Sequence, residues 1–321
     1  MIRGILGDKS YRPQFSGHET FPVRYGWIKK AYDAIEPINN QINNKNAFLD
    51  EEAIANFGVG KNMVASIRHW ATSSGVISED KTTGSLSVNE LWTKIFSAKG
   101  LDPYMENPTT LWLIHWHLAG RPEKTTWYWV FNHFTNQVFD RETLLKGLLK
   151  TIEEAKWGKI SPATVKRDVE CFVRTYSMKL ENKRNNIEDS LESPLTELGL
   201  IKPVGKRDGF RLVRGKKPSL GQGIFCWATM QFWKIQSNTS NYSSTLSFEA
   251  LAHEPGSPGK VFQLDESDLA DRLAKLPELT NGKLEWSEVA GLKQLIKKEE
   301  ISDAELINYI ELDYAGNEAI Q

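Results

Sequence analysis

The densest run of reactive side chains lies near the start of the chain, in Phe15-Ser16-Gly17-His18-Glu19-Thr20-Phe21. An imidazole and a carboxylate stand between two aromatics, and Arg24 follows closely. Hydrolysis of a phosphodiester needs a base to activate water and a positive charge to stabilise the pentacoordinate phosphate. His18 and Glu19 are the candidate bases, and Arg24 is the candidate charge. Adjacent residues in an extended segment point to opposite faces, so these two do not form a dyad with each other. Each would need a distant partner. The alternative is a structural loop in which both satisfy backbone groups or cap the next helix.

Leu101-Asp102-Pro103-Tyr104-Met105-Glu106-Asn107-Pro108 holds two carboxylates four residues apart in a proline-bounded turn. Asp102 and Glu106 are the candidate metal pair, for Mg2+ or Mn2+ in phosphodiester cleavage. Capping is the competing role, and Asn107 before Pro108 is itself a good N-cap. His115 and His117 flank Trp116 in an apolar run. A spacing of two does not put both on one helical face, so they read as core or interface histidines rather than zinc ligands. Gly58-Val59-Gly60-Lys61-Asn62 misses the phosphate-loop pattern, because Ala55 and Asn62 stand where Gly and Ser/Thr are required. No PD-(D/E)xK or HNH nuclease pattern occurs.

Two further groups point to DNA. Gly58–Gly60 reads as a tight turn feeding a recognition helix, with Lys61, Asn62, Ser66 and Arg68 facing DNA and Met63, Val64, Ile67 and Trp70 packing inward. Lys and Arg neutralise phosphates, whereas Asn and Arg read base edges. In SPATVKRDVECFVRTY, Val165, Val169, Phe172 and Tyr176 share one face, and Lys166, Arg167 and Arg174 lie largely off it. Residues 202–217 carry seven Lys or Arg and one Asp. That run reads as a basic wing, with Lys206, Arg207, Arg211 and Arg214 as its DNA contacts. For the Lys61, Asn62, Ser66 and Arg68 group the alternative is a solvated polar face.

These residues need elements to position them. Helices are expected over 23–37, 49–57 and 61–72, followed by a hairpin around Gly84. Helix, turn, helix and small hairpin is the order of a winged helix-turn-helix. LWLIHWHLAG and TTWYWVFNHF are apolar nearly all round, which marks helices buried at a centre. An amphipathic helix is expected over 141–156. Ser161 and Pro162 start another that runs to Tyr176. The polar segment NKRNNIED, a short helix SPLTELGLI and the basic hairpin complete a second module. Residues 224–234 read as a buried helix, and SNTSNYSS as a linker. The tail from Thr245 reads as acidic and helical, with a turn over 255–259. The expected fold is mainly α with small β-hairpins: two helix-turn-helix or winged-helix-like modules around a buried helical centre. The expected divisions are 1–100, 101–240 and 241–321.

A chain of 321 residues is long enough for two or three such divisions. Its net charge of −1 argues against bulk coating of nucleic acid, so binding must come from local patches. Cys171 and Cys226 lie in apolar runs without metal spacing and read as buried free thiols, which fits a reducing compartment. No apolar core follows the initial charge to make a signal peptide, and no run is long enough to span a membrane. A cytoplasmic location is expected.

FSGHETFPVRYGWIKK, GVGKNMVASIRHW, LDPYMENPTTLWLIHWHLA, SPATVKRDVECFVRTY and SPLTELGLI occur in that order within residues 11–300. Together they resemble the bacterial uncharacterised-domain family that includes the SspB component of Ssp DNA phosphorothioation systems. That family accompanies genes resembling phosphoadenosine-phosphosulfate reductase in DNA-modification clusters. The resemblance implies a part in replacing a non-bridging phosphate oxygen of DNA by sulfur, in antiphage defence. It further implies nicking of double-stranded DNA to open a strand for sulfur-transfer partner proteins. The readings that compete with it are a non-enzymatic DNA-binding adaptor or transcriptional regulator, and a protein-interaction scaffold. A homodimer is the default assembly.

Overall fold

Phe21-Pro22 ends an extended N-terminal segment, and Gly26, in the left-handed region at φ 75°, caps the first helix, α1 (Trp27–Ile35). Its buried face is Trp27, Ile28, Ala31, Tyr32 and Ile35, the spacing of one helical stripe. The helix starts later than its hydrophobic pattern alone predicts, because the chain must first turn at Gly26. The computed structural model describes residues 3–36, 46–49, 51–177, 193–205, 208–239, 244–289 and 291–317.

Helices α2 (Glu51–Phe57) and α3 (Lys61–Ser73) follow, separated by the turn at Gly58. The α3 helix packs on α1 and buries Val64, Ile67, Trp70 and Ala71. Strands β1 (Ile77–Glu79) and β2 (Leu86–Val88) form the expected hairpin around Gly84, with Ile77 opposite Val88. Asn89 then caps α4 (Glu90–Phe96).

The next two helices are the centre of the molecule. Asn107 caps α5 (Pro108–Ala119) by accepting from the Thr109 N–H, and α6 (Thr125–Asn132) follows. Every residue from Thr109 to Ala119 and from Thr125 to Asn132 is buried. Trp112, Trp116 and Trp127 are among the largest buried side chains. This is why both segments are apolar on all faces.

Strand β3 (Val138–Phe139) leads into α7 (Arg141–Ala155) and α8 (Pro162–Tyr176). SPLTELGLI makes a short 3-10 turn, Pro194–Leu198, rather than an α-helix. Strands β4 (Ile201–Pro203) and β5 (Phe210–Leu212) return as the basic hairpin. The sheet has three strands rather than two, in the antiparallel order β3-β5-β4. A two-residue strand such as β3 carries no periodicity to read. The polar segment NKRNNIED lies outside the described residues.

Helix α9 (Gln222–Thr239) extends past the apolar run and into SNTSNYSS, where a linker is expected. The tail also departs from its expected all-helical form. Strands β6 (Thr245–Ser247), β7 (Leu284–Val289) and β8 (Leu292–Lys297) build an antiparallel sheet, order β6-β8-β7. Only Leu284 in β7 and Leu295 in β8 are fully buried, so the alternation that marks a strand is faint. Short helices α10 (Phe248–His253), α11 (Pro258–Val261), α12 (Glu266–Ala274) and α13 (Leu276–Leu279) lie between β6 and β7. The last helix, α14 (Asp303–Asn317), crosses α9 at Gly223, where a Cβ would overlap the Tyr309 carbonyl. Asp313 accepts from the Gly223 and Ile224 N–H groups and so ties α14 to the start of α9. Buried side chains from all parts of the chain form one contiguous core. Among the described residues, no helix is long and apolar enough to cross a membrane.

Candidate functional site

The Phe15–Phe21 loop is clasped between α3 and α8. His18 is buried, and its Nε2 lies 2.9 Å from Asp168 Oδ1 on α8. The Thr20 N–H donates to His18 Nδ1 at 3.0 Å. That bond needs a lone pair on Nδ1, which places the ring proton on Nε2, facing the carboxylate. From α3, Ser66 Oγ donates to the His18 carbonyl and Trp70 Nε1 to the Phe21 carbonyl. From α8, Cys171 Sγ donates to the Phe21 carbonyl and Arg174 Nη1 to the Thr20 carbonyl. Gly17, Glu19 and Thr20 all have positive φ, at 106°, 46° and 68°. Left-handed backbone at a β-branched threonine costs on the order of 1–3 kcal/mol and persists only where the surroundings hold it.

This geometry separates the expected catalytic trio. His18 has both ring nitrogens engaged, so it positions the loop and has no free nitrogen to act as a base. Glu19 is exposed and lines a cavity beside the loop. The Arg24 guanidinium is buried over the Phe21 and Trp27 rings, 5.5 and 5.3 Å from their centroids, and does not line that cavity. Ser66 is fully buried, so it does not face DNA with Lys61 and Asn62, which are exposed. Arg68 is half-buried and paired with Glu79 at 2.9 Å.

The cavity, about 600 Å³, is lined by Glu19, Arg68, His69, His117, Arg121 and Lys124 among others. Lys124 is buried and donates to His69 Nε2 at 2.9 Å. Burial pushes the Lys124 ammonium down to about 8, against the weaker attraction of Asp168. Burial, reinforced by Lys124 and His18, holds His69 well below the usual imidazole range. Burial does the same to His117, whose two ring nitrogens have no hydrogen-bond partner among the described residues. Burial also lowers Arg121, opposed by Glu123. His115 is different. It contacts the Tyr176 hydroxyl and the Val261 carbonyl, both at 2.8 Å, and is a core histidine as expected.

Asp102 and Glu106 do not make a cation site. Asp102 is buried and accepts from the Glu106 N–H, the Asn107 N–H and Thr110 Oγ1. Its oxygens organise the turn before α5, and Glu106 is exposed. Among the described residues, no group of three or more His, Cys, Asp or Glu could hold a metal.

A second group of exposed basic side chains, the basic face, lies on α8 and on the sheet that contacts it through β4. Lys166 and Arg167 are exposed, while Arg174 is half-buried against the loop. In β5, Phe210 and Leu212 point inward and Arg211 outward, opposite exposed Lys202 of β4. Arg141 is paired with Asp208, and its guanidinium stacks over Phe210. Arg214 donates to the Leu264 carbonyl at 2.9 Å. Lys206 and Arg207 lie outside the described residues.

The DUF4007 family, described as a protein of unknown function, matches residues 15–310. The chain belongs to the DUF4007 family. No curated protein matches it. Among solved structures, this DUF4007 chain is similar to magnesium ion-bound SspB, with 26% identity and a TM-score of 0.80, over 98% of this chain and 90% of that one. A second SspB crystal structure is similar at 26% identity and TM-score 0.79, over 99% and 96%.

Sequence reasoning missed His69, Arg121, Lys124 and Asp168. Lys124 meets His69 across 55 residues and Asp168 meets His18 across 150. One signal was present: a lysine at the start of the apolar segment TTWYWVF.

Proposed function

We propose that this DUF4007 protein is a DNA-binding component of a bacterial DNA phosphorothioation system. Its likeness to SspB supports the system, and the basic face supports the DNA contact. The carrying observation is that α8 presents Lys166 and Arg167 beside a sheet that presents Lys202 and Arg211. The order β3, α7, α8, β4, β5, with β5 between the other two strands, fits a winged helix. In that reading α8 enters the major groove and the β4–β5 hairpin tracks the backbone. The helices α1 to α3 with the β1–β2 hairpin make the second module, and Lys61 and Asn62 are its phosphate and base contacts. Sulfur-transfer proteins are the partners this role requires.

Within that role we assign nicking of double-stranded DNA, with Glu19 as the residue placed to activate water. His18 holds the loop that carries it. Magnesium is bound in one of the SspB structures. The Asp102–Glu106 turn does not fit that ion, so no step runs through it. A non-enzymatic DNA-binding adaptor is the second reading, favoured by the separation of His18, Glu19 and Arg24. Incubating supercoiled plasmid with purified protein, with and without Mg2+ or Mn2+, separates them. Open-circular product that disappears in Glu19→Gln supports nicking. Binding without any open circle supports the adaptor.

A further inference from the structure

The cavity beside the clasped loop is distinct from the basic face, and its lining is unlike a solvated cleft. Lys124 is a buried cation with no carboxylate in ion-pair contact among the described residues; its partner is the His69 ring, which accepts its hydrogen bond. Arg121 is half-buried and makes no ion pair among the described residues. His117 is 7% exposed, and neither ring nitrogen is hydrogen-bonded among the described residues. Buried polar groups normally find partners, and exceptions mark a missing ion, water or ligand.

The two imidazoles are given room by glycines. Gly17 and Gly75 have φ of 106° and 73°. A Cβ at Gly17 would overlap the His69 ring, and one at Gly75 would lie 2.7 Å from His117 Cε1. Lys124 is also the N-cap of α6, and no side chain caps that helix. The positive end of the helix dipole therefore lies at the same residue as the buried ammonium. Phe48, Leu49 and Ala65 add apolar wall. Glu19 and Glu123 are exposed carboxylates on the lining. They disfavour a ligand carrying many charges. The volume falls within the range of small-molecule sites, roughly 300–1,000 Å³.

We propose that this cavity binds a nucleoside monophosphate group, with the phosphate on Lys124 and Arg121 and the nucleoside against the apolar wall of Phe48 and Leu49. His69 is a positioning residue that holds the lysine. The ligand is either a free mononucleotide or the 5′-terminal nucleotide of a nicked strand. The site stands on its own geometry and does not depend on duplex binding by α8.

Calorimetric titration of the full chain with dTMP, thymidine and inorganic phosphate tests this. Tighter binding of dTMP than of thymidine by tenfold or more is expected, with at least tenfold loss in Lys124→Met. Arg121→Gln, at a half-buried position, should show the same loss with an unchanged melting temperature. Duplex affinity should be unchanged in both. A nicked duplex with a 5′-phosphate, compared with its 5′-hydroxyl counterpart, identifies the source. A preference for the phosphate that Arg121→Gln abolishes assigns the ligand to DNA ends. No preference, with dTMP still bound, assigns it to a free nucleotide. Equal binding of thymidine and dTMP, undiminished binding by both variants, or no dTMP binding at 10 mM overturns the proposal.

Discussion

Lys124→Met should make the protein more stable, and the gain should vanish at high pH. The fall of Lys124 from 10.5 to about 8 corresponds to about 3 kcal/mol of unfavourable burial of the ammonium at pH 7. Methionine removes that cost and keeps the apolar stem. It also leaves His69 Nε2 without its donor, which costs about 1 kcal/mol where water can reach the ring. The net gain is about 2 kcal/mol, or roughly 4 °C in melting temperature. The pH signature is sharper than the magnitude. Below about 8 both folded and unfolded chains hold the proton, and the cost is fully present. Between about 8 and 10.5 only the unfolded chain holds it, so the cost fades as pH rises. Urea titrations of both proteins at pH 7, 8.5 and 10 measure this. The difference between them should shrink across that series. Destabilisation by Lys124→Met at pH 7, or a difference that does not change with pH, would refute the reasoning. It would mean that the lysine is a structural partner and not a strained cation held for a ligand.

His18→Ala strips the buried Asp168 carboxylate of its partner and should cost about 3 kcal/mol or more, read as a lower melting temperature, while Glu19→Gln leaves it unchanged. Asp102→Ala removes the acceptor of three hydrogen bonds before α5 and should cost about 2 kcal/mol. That loss should be the same in EDTA and in Mg2+; a difference would restore a metal role for the turn. Gly223→Ala places a Cβ on the Tyr309 carbonyl and should destabilise by about 3 kcal/mol through overpacking. Wild-type stability would contradict the α9–α14 crossing.

Legibility in the sequence followed the range of the interactions. The helices announced themselves through local chemistry: Gly58 and Gly60 before α3, Asn107-Pro108 before α5, Ser161-Pro162 before α8. The buried pair α5 and α6 was legible from uninterrupted apolar runs. β3 and the β6-β8-β7 sheet were not, because two residues or one buried side chain per strand leave no period. The site divided the same way. The loop around His18 stood out by composition, but its roles depended on Asp168 and Ser66, 150 and 48 residues away. Ser66 looked like a member of the polar face of α3, yet the loop covers it. Lys124 and His69 meet across 55 residues, a separation at which no spacing rule applies.

The central claim is that this chain binds DNA through α8 and the adjoining sheet. The most direct test is the affinity for a fluorescent duplex from 50 to 200 mM salt, for wild type and for the triple variant Lys166→Ala, Arg167→Ala, Arg211→Ala. Each phosphate contact contributes roughly 0.9 to the slope of log affinity against log salt. The account predicts steep salt dependence in wild type and a slope shallower by about 2–3 in the variant, with an unchanged fold by circular dichroism. No duplex binding by wild type at 50 mM salt, or an identical slope in the folded variant, would contradict it.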